Sequence, residues 1–229
     1  MRGTAVLGAH GLSCGYGTTP VCGPVTTSVA PGDVLGIVGF NGAGKSTVVR
    51  TMVGRQQALA GECRFRGLAV DDRAASFRAA VACVFDEDAF FPSLTAAEHL
   101  ELVARGHGVR KPVDAVRREL DAFGIAAVAD ASPTELSSGQ RRRLLLAAGF
   151  IRPRDLLVLD EPEQRLDPVM RDILAERIRA EARAGCAVVV VTHAPDLLLA
   201  TATTCLMIDE QVRPVAVDEG ALLISGTRT

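Results

Sequence analysis

Eight residues constrain this chain more than any others: Gly39-Phe40-Asn41-Gly42-Ala43-Gly44-Lys45-Ser46 fits the pattern G-x-x-x-x-G-K-[ST]. The apolar run at 34–38 precedes them, and a helix is expected to begin near Ser46. A loop in that setting suits phosphate. Glycines let backbone N–H groups crowd an anion, and the helix start adds a positive end. Lys45 then supplies a point charge to the β and γ phosphates of a nucleotide, while the Ser46 hydroxyl is offered to Mg2+. A glycine-containing turn can match such a pattern by chance, but the strand before it and the helix after it make this match specific.

The rest of the chain reads as the scaffold such a loop needs. Further strand-length apolar runs at 156–159 and 187–191 alternate with segments of helical period, the pattern of a parallel sheet covered by helices, hence an α/β fold. Asp167-Pro168 offers an N-cap acceptor and a proline at the first helical position, and Ile173, Leu174 and Ile178 share a face before Gly185 ends the helix. Between about 92 and 151 the strand runs vanish. Thr95-Ala96-Ala97-Glu98 is a capping-box start, and Val113, Val116, Leu120 and Phe123 recur at helical spacing until Gly124, so an inserted helical subdomain is expected there. The stretch up to about Ala30 is rich in Gly, Thr and Val with turn dipeptides, as short antiparallel strands are. The whole, residues 1–229, reads as one domain.

Composition leaves any nucleic-acid or lipid partner to be met locally. A formal charge of −2 gives no global pull toward nucleic acid or anionic lipid. The longest apolar stretches, 144–151 and 187–191, fall far short of the roughly 20 residues that span a bilayer. Met1-Arg2-Gly3-Thr4 leads into a mixed segment without the apolar core of a secretory signal, so a cytoplasmic chain is expected. The six cysteines, Cys14, Cys22, Cys63, Cys83, Cys186 and Cys205, show no C-x-x-C pair and read as small buried thiols rather than metal or disulfide positions.

A second carboxylate-bearing motif follows. The strand at 156–159 ends in Asp160-Glu161. Alone, such an ending is a solvated strand end; downstream of a phosphate loop it becomes the second half of a nucleotide hydrolase. Asp160 is expected to hold Mg2+ directly or through water, and Glu161 to face the attacking water as general base.

Leu136-Ser137-Ser138-Gly139-Gln140 closely resembles the LSGGQ signature of ABC-type ATPases, and it lies about twenty residues before the Asp160-Glu161 strand. The resemblance extends over almost the whole chain. It implies a P-loop ATPase core with an N-terminal antiparallel β subdomain and an inserted helical subdomain. It also implies that Ser137, Gly139 and Gln140, at a helix N-terminus, close on the ATP held by the loop of a second subunit. The catalytic site would then exist only in a head-to-tail homodimer or heterodimer. Tyr16, the only tyrosine, stands where the family places an aromatic that stacks on adenine, although a surface tyrosine would look the same. The ATP-binding set implied is Tyr16, Gly39, Phe40, Asn41, Gly42, Ala43, Gly44, Lys45, Ser46 and Thr47, completed by the signature residues. Leu166-Asp167 matches the loop that bridges subunits, with Asp167 also serving as helix cap. His193, directly after Val188-Val189-Val190-Val191-Thr192, matches the histidine that contacts the γ-phosphate, giving Lys45, Glu161 and His193 as the catalytic set.

Three departures stand out. The family's glutamine after the strand preceding the helical subdomain is replaced within Val84-Phe85-Asp86-Glu87-Asp88, putting Asp86 near the expected Mg2+ position, as a ligand or as a weakening of hydrolysis or coupling. Glu163-Gln164-Arg165 occupies positions where small residues are normal, and Ser138 replaces a glycine. The resemblance implies an Mg-dependent ATPase that drives a separate transmembrane permease from the inner face of the cell membrane. Two other readings remain: a soluble switch ATPase of the same type, or a partly degenerate ATP-binding partner of a more active subunit.

Overall fold

The structure, a computed structural model, describes residues 5–87 and 89–226. Asp88 and the segment Met1-Arg2-Gly3-Thr4 lie outside the described residues. The chain opens with β1 (Leu7–Ser13), β2 (Gly15–Tyr16), β3 (Thr19–Pro20), β4 (Val25–Val29) and β5 (Val34–Gly39), followed by α1 (Lys45–Met52). Next come β6 (Ala60–Phe65), β7 (Leu68–Ala69), α2 (Ala75–Ala80) and β8 (Val81–Val84). The helical stretch holds α3 (Ala96–Gly106), α4 (Pro112–Ala122), a 3-10 turn at Ala126–Val128 and α5 (Ser138–Phe150). The chain then runs through β9 (Leu156–Asp160), α6 (Pro168–Arg183), β10 (Ala187–Val191), α7 (Pro195–Thr201), β11 (Thr204–Ile208), β12 (Val212–Val215) and α8 (Val217–Ser225).

A six-stranded sheet in the order β12-β11-β5-β10-β9-β8 forms the centre. Its strands pair in parallel except for β12, which runs antiparallel to β11 at the edge. Every residue of β5, β9 and β10 is buried, as strands covered on both faces must be. Alternation sorts their side chains between two cores: Leu157, Leu159, Val188 and Val190 point to the side of the helical stretch. Leu156, Val158, Val189 and Val191 point to the side where β4-β1-β6-β7 forms the separate antiparallel sheet. Each fully buried aliphatic side chain in these layers contributes about 1.5–3 kcal/mol relative to exposure.

The helix starts follow their sequence signals. Thr95 and Glu98 close the capping box that begins α3, at 2.8 Å and 3.2 Å. Asp167 accepts from the Met170 N–H at 2.9 Å to cap α6, and Gly185 takes a φ of 94° just past its end. On α4, Val116 and Leu120 are buried while Val113, in the first turn, stays exposed at the rim. Arg177 of α6 forks onto both Glu119 oxygens of α4 at 2.8 Å, tying the helical stretch to the sheet. No helix of the described residues is long and apolar enough to cross a membrane.

Candidate functional site

Register decides where the chemistry gathers. Val191 pairs with both Asp160 and Ile37, so β5, β9 and β10 end together and release the Gly39 loop, Glu161 and His193 from one edge of the sheet. In an α/β sheet that carboxyl edge is where ligands bind.

The loop after β5 is shaped by close backbone packing. A Cβ on Gly39 would lie 2.1 Å from the Ile208 carbonyl oxygen, and one on Gly44, whose φ is 88°, would strike Val21 at 2.4 Å. Phe40, Asn41 and Gly42 at the tip are exposed, and Ala43 and Gly44 lead into α1. Lys45 is buried and donates to the carbonyls of Gly39 at 3.1 Å and Phe40 at 2.9 Å. Burial lowers the pKa of its ammonium, and the charges of Glu161 and Asp160 oppose that shift. Thr47 is buried on α1 and meets the Tyr16 hydroxyl at 3.1 Å. The Tyr16 ring itself is 65% exposed on the β2–β3 hairpin.

Asp160, at the end of β9, is 4% exposed, and its Oδ1 has no hydrogen-bond partner among the described residues. Burial pushes its carboxyl above the usual range, with the Ser46 hydroxyl bonded to it acting the other way. A buried, unsatisfied carboxylate oxygen beside a serine hydroxyl fits Mg2+, a hard cation that takes oxygen ligands. Glu161 follows with a φ of 47°, left-handed for a residue with a side chain, a conformation worth about 1–3 kcal/mol of strain. Its N–H donates to the Val191 carbonyl at 2.9 Å and its own carbonyl accepts from Arg142 at 2.7 Å, which holds the turn. The turn aims the carboxylate at His193, whose Nε2 stands 3.3 Å from Oε1. That contact holds the Glu161 carboxyl below its usual range, against the opposing effect of burial.

Around this pair lie residues whose part the sequence did not reveal. Arg142 on α5 is completely buried and donates to the carbonyls of Phe85, Asp160 and Glu161 at 3.0, 2.7 and 2.7 Å. Its position one turn before Leu145 and Leu146, on the apolar face of α5, was the available signal. Glu163 is buried, and its Oε1 accepts from the Thr192 hydroxyl at 2.6 Å and the His193 N–H at 3.0 Å. Gln164 donates its amide to Glu161 Oε2. Arg165 reaches Asp86 at 3.3 Å, so the aspartate after β8 is ion-paired. A cavity of about 350 Å3 opens among Asn41, Glu161, Glu163, Gln164 and His193.

The signature residues stand apart from this cluster. Ser137 caps α5 through the Gln140 N–H at 3.2 Å, and the Gln140 side chain returns to the Ser137 N–H at 2.9 Å. Gly139 packs where a Cβ would lie 3.0 Å from the Arg165 carbonyl. Among the described residues no hydrogen bond or ion pair joins Ser137, Gly139 or Gln140 to the Gly39–Ser46 loop, and Ser137 and Ser138 face solvent. Asp167, the α6 cap, is exposed and ion-paired with Arg143 of α5. The cysteines are free, five of them buried, and burial pushes Cys63 and Cys186 up to about 12.

One cation, one hydroxyl, two carboxylates and an imidazole thus meet beside a loop and helix start that offer backbone N–H groups, an arrangement suited to hydrolysing a bound phosphoanhydride. The comparisons agree with that chemistry. A family model described as ABC transporter matches residues 22–164. The cytochrome c biogenesis ATP-binding export protein CcmA 2 of Cupriavidus metallidurans is 35% identical over 189 residues, which cover 82% of this chain and 90% of that protein. A Nod factor export ATP-binding protein I of Ralstonia nicotianae is 34% identical over 194 residues, 83% of this chain and 60% of the longer relative. A solved structure of an ATP-binding subunit of an ABC transporter superposes with a TM-score of 0.84 at 23% identity, covering 96% of this chain and 99% of that one.

Proposed function

Since the chain belongs to the ABC transporter family, we propose that it binds Mg·ATP on the Gly39–Ser46 loop, hydrolyses it with Glu161 as base, and powers a separate membrane permease. The observation that carries this reading is the convergence of Lys45, Ser46, Asp160, Glu161 and His193 at one sheet edge, set by the common register of β5, β9 and β10. Lys45 leaves the Gly39 and Phe40 carbonyls to meet the β and γ phosphates, whose oxygens the backbone N–H groups of 42–47 cradle. Ser46 and Asp160 hold Mg2+, which when bound neutralises phosphate charge. Glu161 takes a proton from the attacking water, and His193, beside it, contacts the γ-phosphate and keeps the carboxylate oriented. Tyr16 offers its exposed ring to adenine.

The exposed signature loop supports a two-subunit site. Ser137, Gly139 and Gln140 bond no part of the phosphate loop in their own chain, and a second ATP-binding subunit placed head to tail brings them to it. Asp167, exposed at the start of α6, bridges the two subunits. A permease partner accords with the export role named for the relatives, and it would hold this subunit at the inner face of the membrane.

Lys45→Ala tests the phosphate loop. Removing a charged donor that no other loop side chain replaces weakens ATP binding by about 10- to 100-fold, the size of one charge-assisted hydrogen-bond set. Calorimetric titration reads it directly, and unchanged affinity would sink the assignment.

A further inference from the structure

The segment from Glu161 to Arg165 doubles back on itself, with the Gln164 N–H on the Glu161 carbonyl at 3.1 Å. Its side chains then reach different elements. Glu163 points inward, 6% exposed, and its Oε1 takes both the Thr192 hydroxyl and the His193 N–H. The Thr192 hydroxyl also accepts from the Ala194 N–H at 3.0 Å, so the exit of β10 is pinned at three consecutive residues. Gln164 meets the Glu161 carboxylate on Oε2, the oxygen that His193 does not touch.

A ring closes in this way: Glu161 through Pro162 to Glu163, across to the His193 backbone, and from the imidazole back to Glu161. We infer that Glu163 and Gln164 are positioning residues for the Glu161–His193 pair, Glu163 acting through the His193 backbone and Gln164 through the free oxygen of the base. The inference rests on Glu161 being the base. Glu161 sits in a left-handed turn that local sequence does not favour, so its carboxylate needs contacts on both sides to keep one direction. Nothing in this device requires Glu163 to carry a charge for its acceptor role; one oxygen of the right reach serves both N–H and O–H donors.

In the 229-residue chain, kcat and KM for ATP hydrolysis, ATP affinity by calorimetry, and amide exchange across 192–194 are measured for Glu163→Leu, Glu163→Gln, Gln164→Ala and Glu161→Gln. Glu163→Leu is expected to lower kcat about tenfold or more, the scale of a small misplacement of a catalytic group, while ATP affinity stays within about twofold. Exchange at 192–194 rises in the same variant. Glu163→Gln, whose amide oxygen accepts the same two bonds, recovers most of the kcat lost in Glu163→Leu. Gln164→Ala lowers kcat at constant affinity. Where Glu163→Leu does not fold, Thr192→Val removes one donor of the pair without changing volume and is expected to lower kcat in the same direction. Parental kcat in Glu163→Leu or in Gln164→Ala, or a Glu163→Gln variant as impaired as Glu163→Leu, overturns the positioning role while a dead Glu161→Gln leaves the base assignment standing. Full turnover in Glu161→Gln overturns the base assignment, and the positioning role with it.

Discussion

Asp86 and Arg165 show how two residues that look unfavourable singly can be read together. Asp86, just past β8, is answered at 3.3 Å by Arg165, which sits in a left-handed turn with φ of 61°. Both are about two-fifths exposed, so the pair is screened by solvent and worth little as stability. On the proposed reading, which sets Asp86 beside the nucleotide, its weight falls on charge there. Arg165→Ala therefore lowers ATP affinity, and Asp86→Gln raises turnover or lowers the Mg2+ requirement, each by no more than about fivefold, the size of an exposed ion pair. Steady-state hydrolysis across a magnesium titration checks both variants. A loss of turnover in Asp86→Gln as deep as in Glu161→Gln would make Asp86 catalytic instead.

Helix α5 joins the two halves of the chemistry at the scale of one element. Its N-terminus presents Ser137 and Ser138 to solvent with Gly139 and Gln140 partly buried behind them, and one turn later Arg142 enters the core to donate to carbonyls of the β8 exit and the β9 exit. A completely buried guanidinium with no carboxylate in direct contact among the described residues is tolerable because those carbonyls satisfy it and the nearby charges of Asp86 and Glu163 oppose its desolvation. Arg142→Met keeps the volume but leaves the carbonyls of Phe85, Asp160 and Glu161 without this donor. The variant is expected to lose about 2–4 kcal/mol of unfolding free energy, a cost set by unsatisfied buried polar groups, measurable by urea denaturation. Turnover should fall as well, since the same carbonyls hold the turn that aims Glu161.

At the scale of the molecule, the phosphate loop and the signature loop are separate surfaces of one chain, and the proposed site draws one from each of two subunits. Glu161→Gln keeps the hydrogen-bonding shape of the base but cannot accept a proton, so it should bind ATP, stop turning over and accumulate as an ATP-loaded dimer. Light scattering with ATP and Mg2+ reads the mass; a variant that stays monomeric while binding ATP argues against the head-to-tail site. The same variant lowers kcat by about 100-fold or more, the ordinary contribution of a general base.

Much of this protein was legible in its sequence, and the part that was not has a common cause. Local patterns carry their own physics: the glycine-lysine loop, the capping box at Thr95, the Asp167-Pro168 helix start and the all-apolar strands at 156–159 and 187–191 each announced an element that the fold contains. Element order then implied an α/β sheet with an inserted helical stretch. Strands β8 and β12 were less visible, because four-residue runs such as Val81–Val84 carry too few residues to show a period. What sequence spacing could not supply was which side chains meet across long separations. Asp86 to Arg165, Arg142 to Phe85 and Glu163 to His193 are contacts between loops and helices brought together by strand register. Sequence by itself determined the chemical groups and the elements that bear them. Only the tertiary structure decided how the unusual residues Asp86, Glu163, Gln164 and Arg165 pair, because a buried or ion-paired group is specified by its neighbours in space rather than along the chain.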